Sequence, residues 1–233
     1  MEKLVYVLWK SPGATTDDFR SAMLGDVCKR IDELGVHGLT VNLADDAIGD
    51  AVSARMTRLE PPLDGTLNFW LDSADDRGPY EEAIAAVTSR SAGYLVVESV
   101  PIVNRTQRAQ PGERTPGINM IACLERPERI AWDAWIEHWH GPHRQVALET
   151  QCTFHYVRNV VVRALTRSAP AWSGIVEEGF PAEAITDPMI WYKGNGSAEV
   201  MKRNLKRMID SCRVFLDLDR VESHPLSEYR LMG

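Results

Sequence analysis

The residues with most chemical promise crowd into one stretch, Trp132-Asp133-Ala134-Trp135-Ile136-Glu137-His138-Trp139-His140-Gly141-Pro142-His143. Three of the chain's six histidines and three of its seven tryptophans fall there. A partly buried imidazole can be tuned near neutral pH to act as a general acid or base. Aromatic walls beside it suit an apolar ligand. On a helix turning about 100° per residue, Trp132, Trp135, Trp139, His143 and Val146 share one face. His138 and His140 lie at opposite margins of that stripe. His143 and His140 are therefore the candidate catalytic residues, with Trp139 and Trp135 as candidate substrate contacts. The same features also read as a silent core histidine and ordinary aromatic packing. A metal site is disfavoured, because H-x-H-x-x-H spans more than one helix face and no nearby carboxylate or cysteine completes the ligand set.

The helix that must carry these residues runs from about Ile130 to Thr150. Pro142 cannot donate to the carbonyl of His138, and Gly141 loosens the same turn, so a kink is expected near 140–142. Glu149 and Gln151 fall where that helix turns into a strand, Phe154 to Ala164. Alternation places His155 and Asn159 on one strand face, with Tyr156 and Arg158 on the other. Which face looks into the fold stays open. His155, Tyr156 and Asn159 are candidate substrate contacts, as is Tyr192 on an expected strand, Met189 to Tyr192. Residues 165–186 read as an insertion with a short helical piece at Ser173–Glu178, whose Glu177 and Glu178 could belong to a lid. A helix over Ala198–Ser211 and an extended run from Val221 to Leu231 follow, with Pro225 suggesting an edge or a bulge.

The N-terminal half shows the same order. Leu4 to Trp9 is a strand-length apolar run. Thr15, Thr16, Asp17 and Asp18 supply helix-start chemistry, and Phe19, Met23, Val27, Ile31 and Leu34 recur at helical spacing up to Gly35. Strands follow at His37–Leu43 and Thr66–Leu71, with 51–60 a strand or an extended arm between them. A helix is expected at Pro79–Arg90 and a last strand at Gly93–Val103. Residues 104–116 are polar, contain Pro and Gly, and read as a linker. An offset of 116 then places Phe19 on Trp135, Met23 on Trp139, Gly25 on Gly141 and Val27 on His143. The expected fold is α+β: two tandem βαββαβ units, residues 1–103 and 117–233, whose sheets cover one another and close into a single-chain barrel. Val27 standing where His143 stands makes the first half the degenerate one.

Bulk properties bound the partners. The 233 residues carry a formal charge of −7, which argues against nucleic acid. No stretch approaches a membrane helix, and the apolar run at Leu4–Trp9 is too short for a signal-peptide core. The four cysteines are scattered, as in a reducing compartment, so a cytoplasmic protein is expected. No nucleotide-binding or hydrolase motif is present, and no cofactor is expected.

The stretch Ser11-Pro12-Gly13-Ala14-Thr15-Thr16-Asp17-Asp18-Phe19 resembles the start of an EthD-like domain. Trp135-Ile136-Glu137-His138-Trp139 with His143 resembles that family's aromatic-Trp-His helix. The resemblance implies tandem ferredoxin-like units in a pseudo-dimeric α/β barrel, a superfamily that includes cofactor-free monooxygenases, lactone isomerases and haem enzymes. It places the family's histidine on His143, with His140-Gly141-Pro142 as a rival register. The family's proline two residues after its histidine is Gln145 here. Two functions stay open. One is an enzyme moving a proton on an apolar or aromatic metabolite in a dehydration, isomerisation or cofactor-free oxidation. The other is a non-catalytic binding or accessory protein for such a molecule. Homodimers of the fused barrel are a further expectation.

Overall fold

The apolar run at the N-terminus forms β1 (Glu2–Lys10), which is buried on both faces. A computed structural model, describing residues 1–167 and 169–232, shows why. β1 is one stave of a closed eight-stranded antiparallel barrel, so one face looks inward and the other meets helices. The remaining strands are β2 (Leu39–Leu43), β3 (Gly65–Leu71), β4 (Thr88–Ile102), β5 (Ile118–Leu124), β6 (His155–Ala164), β7 (Gly174–Phe180) and β8 (Glu222–Met232). Around the barrel they run β1-β3-β2-β8-β5-β7-β6-β4. Two arcs follow from that order. The first is β4-β1-β3-β2 and the second is β8-β5-β7-β6, so each has its last strand beside its first. They join through β2–β8 and β4–β6 pairs, which leaves no open sheet edge.

Helices cover the outer face of each arc. The first arc carries α1 (Thr16–Ala22), α2 (Cys28–Leu34) and α3 (Gly78–Ala85). Thr15 caps α1 in a reciprocal box with Asp18. Gly35 ends α2 at a φ of 90°, a backbone state open to glycine. The second arc carries α4 (Trp132–His138), α5 (Arg144–Thr150), α6 (Pro188–Trp191) and α7 (Ala198–Phe215). Between α1 and α2 the chain makes a π-turn, Met23–Val27, and between α4 and α5 another, Trp139–His143. The kink expected at Gly141-Pro142 is thus a π-turn with helical backbone on both sides. Its counterpart has no proline, so proline is not what makes it.

The barrel interior has an apolar and a polar part. Val5, Val7, Trp9, Tyr94, Ile121, Ile175 and Leu226 pack across it from both arcs. Toward the other end Glu177 accepts from Lys3 Nζ at 3.1 Å, Asn159 at 2.9 Å and Asn68 at 2.8 Å. Burial pushes the Glu177 carboxyl up, but Lys3 and the Asn159 amide outweigh it and hold the pKa below its ordinary value.

Three sequence expectations are corrected. Gly174–Phe180 is a strand, not a helical piece of an insertion. It pairs with β5 and β6 on its two sides, and those ladders outweigh its two glutamates and two glycines. Met189–Tyr192 is not a strand; Asp187 accepts from the Met189 N–H and Pro188 opens the short α6, with Tyr192 just beyond it. The helix expected to reach Arg90 ends at Ala85, because β4 begins at Thr88 to pair with Lys10. Pro225 sits inside β8 opposite Met120, between the last β2 partner, Ser227, and the Met56–Ser223 bridge, so no β2 ladder needs its missing donor. The residues at 51–60 act as an arm. Met56 bridges Ser223 of β8, reaching across to the second arc. Residues of the expected linker dock on β8 as well, through Gly112, Arg114 and Thr115. Among the described residues no helix is long and apolar enough to cross a membrane.

Candidate functional site

Outward-facing side chains alternate along each strand, and in both arcs they meet the helix layer. In the first arc aromatic rings fill the middle of that layer. Tyr6 stacks on Phe69 at 5.5 Å between ring centroids, and Phe69 on Tyr80 at 5.3 Å. In the second arc it leaves a half-open cavity of about 550 Å³. The cross-strand register explains the difference. Tyr6 faces Gly93 of β4 and Leu67 of β3, and the preceding pair is Leu4 with Phe69. In the second arc Ala122 faces Ser223 of β8 and Val176 of β7, and the preceding pair is Met120 with Glu178. Ala122 therefore stands where Tyr6 stands, and Glu178 where Phe69 stands. A stacked aromatic pair is replaced by a methyl group and a carboxylate.

The sheet forms the cavity floor and α7 with the π-turn forms its roof. Trp139 and His143 border it from the π-turn, and Met208, Cys212 and Phe215 from α7. The π-turn can press on the sheet because Gly174 lies beneath it. A Cβ there would sit 2.6 Å from the Trp139 ring. Ala54 and Met56 reach the rim from the arm of the first arc. Phe180, Trp191 and Tyr192 close one side, with the Phe180 and Trp191 rings stacked at 3.8 Å. The Asn204 amide holds the carbonyl of Tyr192 at 2.8 Å, which fixes the segment after α6 to α7.

Four sequence candidates meet at this wall: His143, Trp139, Tyr156 and Tyr192. His143 Nδ1 lies 3.1 Å from the Ser211 hydroxyl, and its ring rests on Phe215 at 4.7 Å. Burial, then His138 and Arg158, lower its pKa to about 4, so it is neutral at neutral pH. Burial holds the Tyr156 and Tyr192 phenols above their ordinary values, so both remain proton donors.

The other four lie elsewhere. Trp135 is fully buried beneath Trp139 and Phe215, as packing. His140 is outside the lining; its carbonyl accepts from Arg158 at 3.3 Å, and burial with Arg158 lowers its pKa to about 4. His155 and Asn159 point into the barrel, where His155 Nε2 is 3.1 Å from Arg230 and Asn159 holds Glu177. The strand face left open by alternation is thereby resolved: Tyr156 faces the cavity.

Sequence reasoning missed Glu178, read there as part of a lid. It is a partly buried carboxylate on the cavity floor, and among the described residues no donor pairs with it. Burial in this apolar setting raises its pKa to about 7. The signal was the alternation Ile175, Glu177 inward and Val176, Glu178, Phe180 outward. Met56 was missed too, and only the long-range bridge to Ser223 brings it there. Among the described residues no three His, Cys, Asp or Glu side chains are grouped to hold a metal ion.

No protein-family model matches the chain, and no curated protein matches it in sequence. Solved structures do match in fold. An anthrone oxidase-like protein superposes with a TM-score of 0.51 at 12% identity, covering 99% of this chain and 92% of that one. A dye-decolorizing peroxidase from Bacteroides thetaiotaomicron VPI-5482 gives 0.50 at 10% identity, covering 99% and 93%. At such identities the likeness is one of fold: the chain has the architecture of the dimeric α/β barrels, an α+β fold with a closed barrel.

Proposed function

We propose that this chain is a small-molecule enzyme of EthD-like type. It takes an apolar or aromatic metabolite into the hollow of the second arc and moves a proton on it, in a dehydration, isomerisation or cofactor-free oxidation. The observation that carries this reading is the cavity of about 550 Å³ bordered by His143, at a place that the stacked Tyr6 and Phe69 rings fill in the other arc. Its size and its mostly apolar wall match those of small-ligand sites. Trp139, Tyr156 and Tyr192 supply aromatic contact, and the phenols supply hydrogen bonds. His143, anchored through Nδ1 to Ser211, keeps its Nε2 edge for a substrate oxygen. The name of the anthrone oxidase-like neighbour is in keeping with oxidative chemistry on an aromatic molecule.

We further propose that residues 1–103 and 117–233 are diverged EthD-like copies. The equal strand order of the arcs and the two π-turns at an offset of 116 support this.

The test is binding and turnover across a panel of aromatic ketones, alcohols and phenols. His143→Ala is expected to lower turnover about a hundredfold, and His140→Ala to leave it within a few-fold. Unchanged turnover in both variants removes histidine from the mechanism. The lowered basicity of His143 favours a second reading, a carrier of hydrophobic metabolites, which predicts binding by the wild type with no turnover of any panel member.

A further inference from the structure

Among the described residues the cavity wall holds a single carboxylate, and it stands where the first arc keeps an aromatic ring. Burying a carboxylate with no partner is costly, and a ring at this place is compatible with the fold, as Phe69 shows. We propose that Glu178 is the catalytic base of this cavity, and that the substrate is a neutral apolar ketone with an acidic C–H beside its carbonyl. The proposal rests on reading the hollow as the substrate site.

Geometry supports each part. Glu178 projects from β7 between Met120 of β5 and Tyr156 of β6, its cross-strand neighbours. The titratable groups that share the cavity with it are Tyr156, Tyr192, Cys212 of α7 and His143 of the π-turn. Burial pushes the Cys212 thiol up to about 12, so it stays a neutral thiol. None of these groups supplies a cation at neutral pH, and among the described residues no arginine or lysine lines the wall. A cavity of this kind favours a neutral ligand. It also leaves the carboxylate free to accept a proton, at a pKa raised to about 7.

The step balances without an oxidant. The substrate C–H bond breaks and a Glu178 O–H bond forms. The electron pair of the C–H bond moves into the carbon framework and onto the carbonyl oxygen, giving an enolate. The Tyr156 and Tyr192 hydroxyls and the neutral imidazole of His143 are the available donors to that oxygen. Returning the proton to the same carbon restores the ketone and the carboxylate; where the ketone also carries a β,γ double bond, the enolate is a dienolate, and delivery of that proton from Glu178 to its γ carbon gives the conjugated isomer.

The experiment uses two neutral probes, N-phenylnaphthylamine for binding and acetylnaphthalene for chemistry. Binding is read by dye fluorescence, and loss of α-hydrogens to deuterium oxide by mass spectrometry. Wild type is expected to bind the dye and to accelerate exchange, with the rate rising with pH and levelling above about 7. Glu178→Gln is expected to bind the dye at least as tightly and to lose about a hundredfold or more of the exchange rate. Exchange retained in Glu178→Gln with dye bound overturns the assignment of Glu178 alone, as does dye binding by wild type with no exchange. Tighter binding of naphthylmethylammonium than of acetylnaphthalene overturns the ketone in favour of a cation. Failure of wild type to bind the dye removes the cavity reading itself.

Discussion

The two arcs share a strand order and a π-turn but use the space between sheet and helices differently. In the first, Tyr6, Phe69 and Tyr80 form a continuous stack beneath α2 and α3, with Met23 and Val27 closing it from the π-turn. In the second, Ala122 and Glu178 replace Tyr6 and Phe69, and Ser223 replaces the glycine over which Tyr6 lies. Trp139 and His143 replace Met23 and Val27. A close-packed layer stabilises; a hollow one forgoes dispersion contacts along its lining. The first arc fills this layer with aromatic rings, and the second gives up packing around a cavity. The π-turn, common to both, belongs to the architecture rather than to the chemistry. What differs is the side chains it presents.

The largest effect should come from hollowing the first arc. Tyr6 is fully buried and its hydroxyl donates to Glu81 at 2.8 Å. Tyr6→Ala is expected to cost about 4 kcal/mol in urea denaturation. A cost below about 1 kcal/mol, at the mild end for core truncations, breaks the contrast. The reverse change is next in size. Ala122→Tyr with Ser223→Gly and Glu178→Phe copies the first arc's triad into the second. Dye binding should fall at least a hundredfold, roughly 2.7 kcal/mol, with the circular dichroism of a folded barrel retained. Undiminished binding places the ligand elsewhere.

Much of the scaffold was legible because local signals and tertiary pairing agree there. The apolar run Ile118–Leu124 is the strand expected, and Gly35 stops the helix expected to stop. At the offset of 116, α1, its π-turn and α2 coincide with α4, its π-turn and α5. The site was only partly legible. His143 and Trp139 stood out by residue type. Glu178 did not, because β7 is buried on both faces, and its neighbours Glu177 and Gly179 look like loop chemistry. Gly179 is there for close approach: a Cβ would lie 2.6 Å from the Phe154 ring. Nor does the helix offset carry Phe69 onto Glu178, since the connections leading to β3 and β7 differ in length. That correspondence exists only in the hydrogen-bond register.

A third effect sharpens the contrast through pH. Glu178 is protonated more readily in the fold than in the open chain, with its pKa raised from 4.5 to about 7. The folded state therefore binds more protons in that window, and stability falls as pH rises through it. At 1.36 kcal/mol per unit the loss approaches about 3 kcal/mol by pH 8, less the share screened by solvent entering the cavity. Glu178→Gln should remove this slope, matching wild type near pH 4 and exceeding it at pH 8. Phe69→Gln in the first arc offers no such gain, because it removes the ring of the stack. Equal slopes in wild type and Glu178→Gln mean that the carboxylate is solvated or paired.

The smallest effect concerns the histidine. His143→Val copies Val27, so at pH 7, where the imidazole is neutral, the change in stability should stay within about 1 kcal/mol. Acid is where the variants part. The folded pKa of His143 is lowered from 6.5 to about 4, so the unfolded chain binds more protons between those values, and stability falls as pH drops through them. His140 contributes a fall of the same sign in the same window. Wild type should take up close to two protons on unfolding near pH 5 from this pair, and His143→Val close to one. Ser211→Ala provides the internal check. It removes the hydroxyl beside Nδ1 but leaves the ring on Phe215, so the acid limb should persist while the ring loses its anchor. An acid limb unchanged by His143→Val means the ring titrates as a solvated histidine, and the second arc then differs from the first by its floor alone.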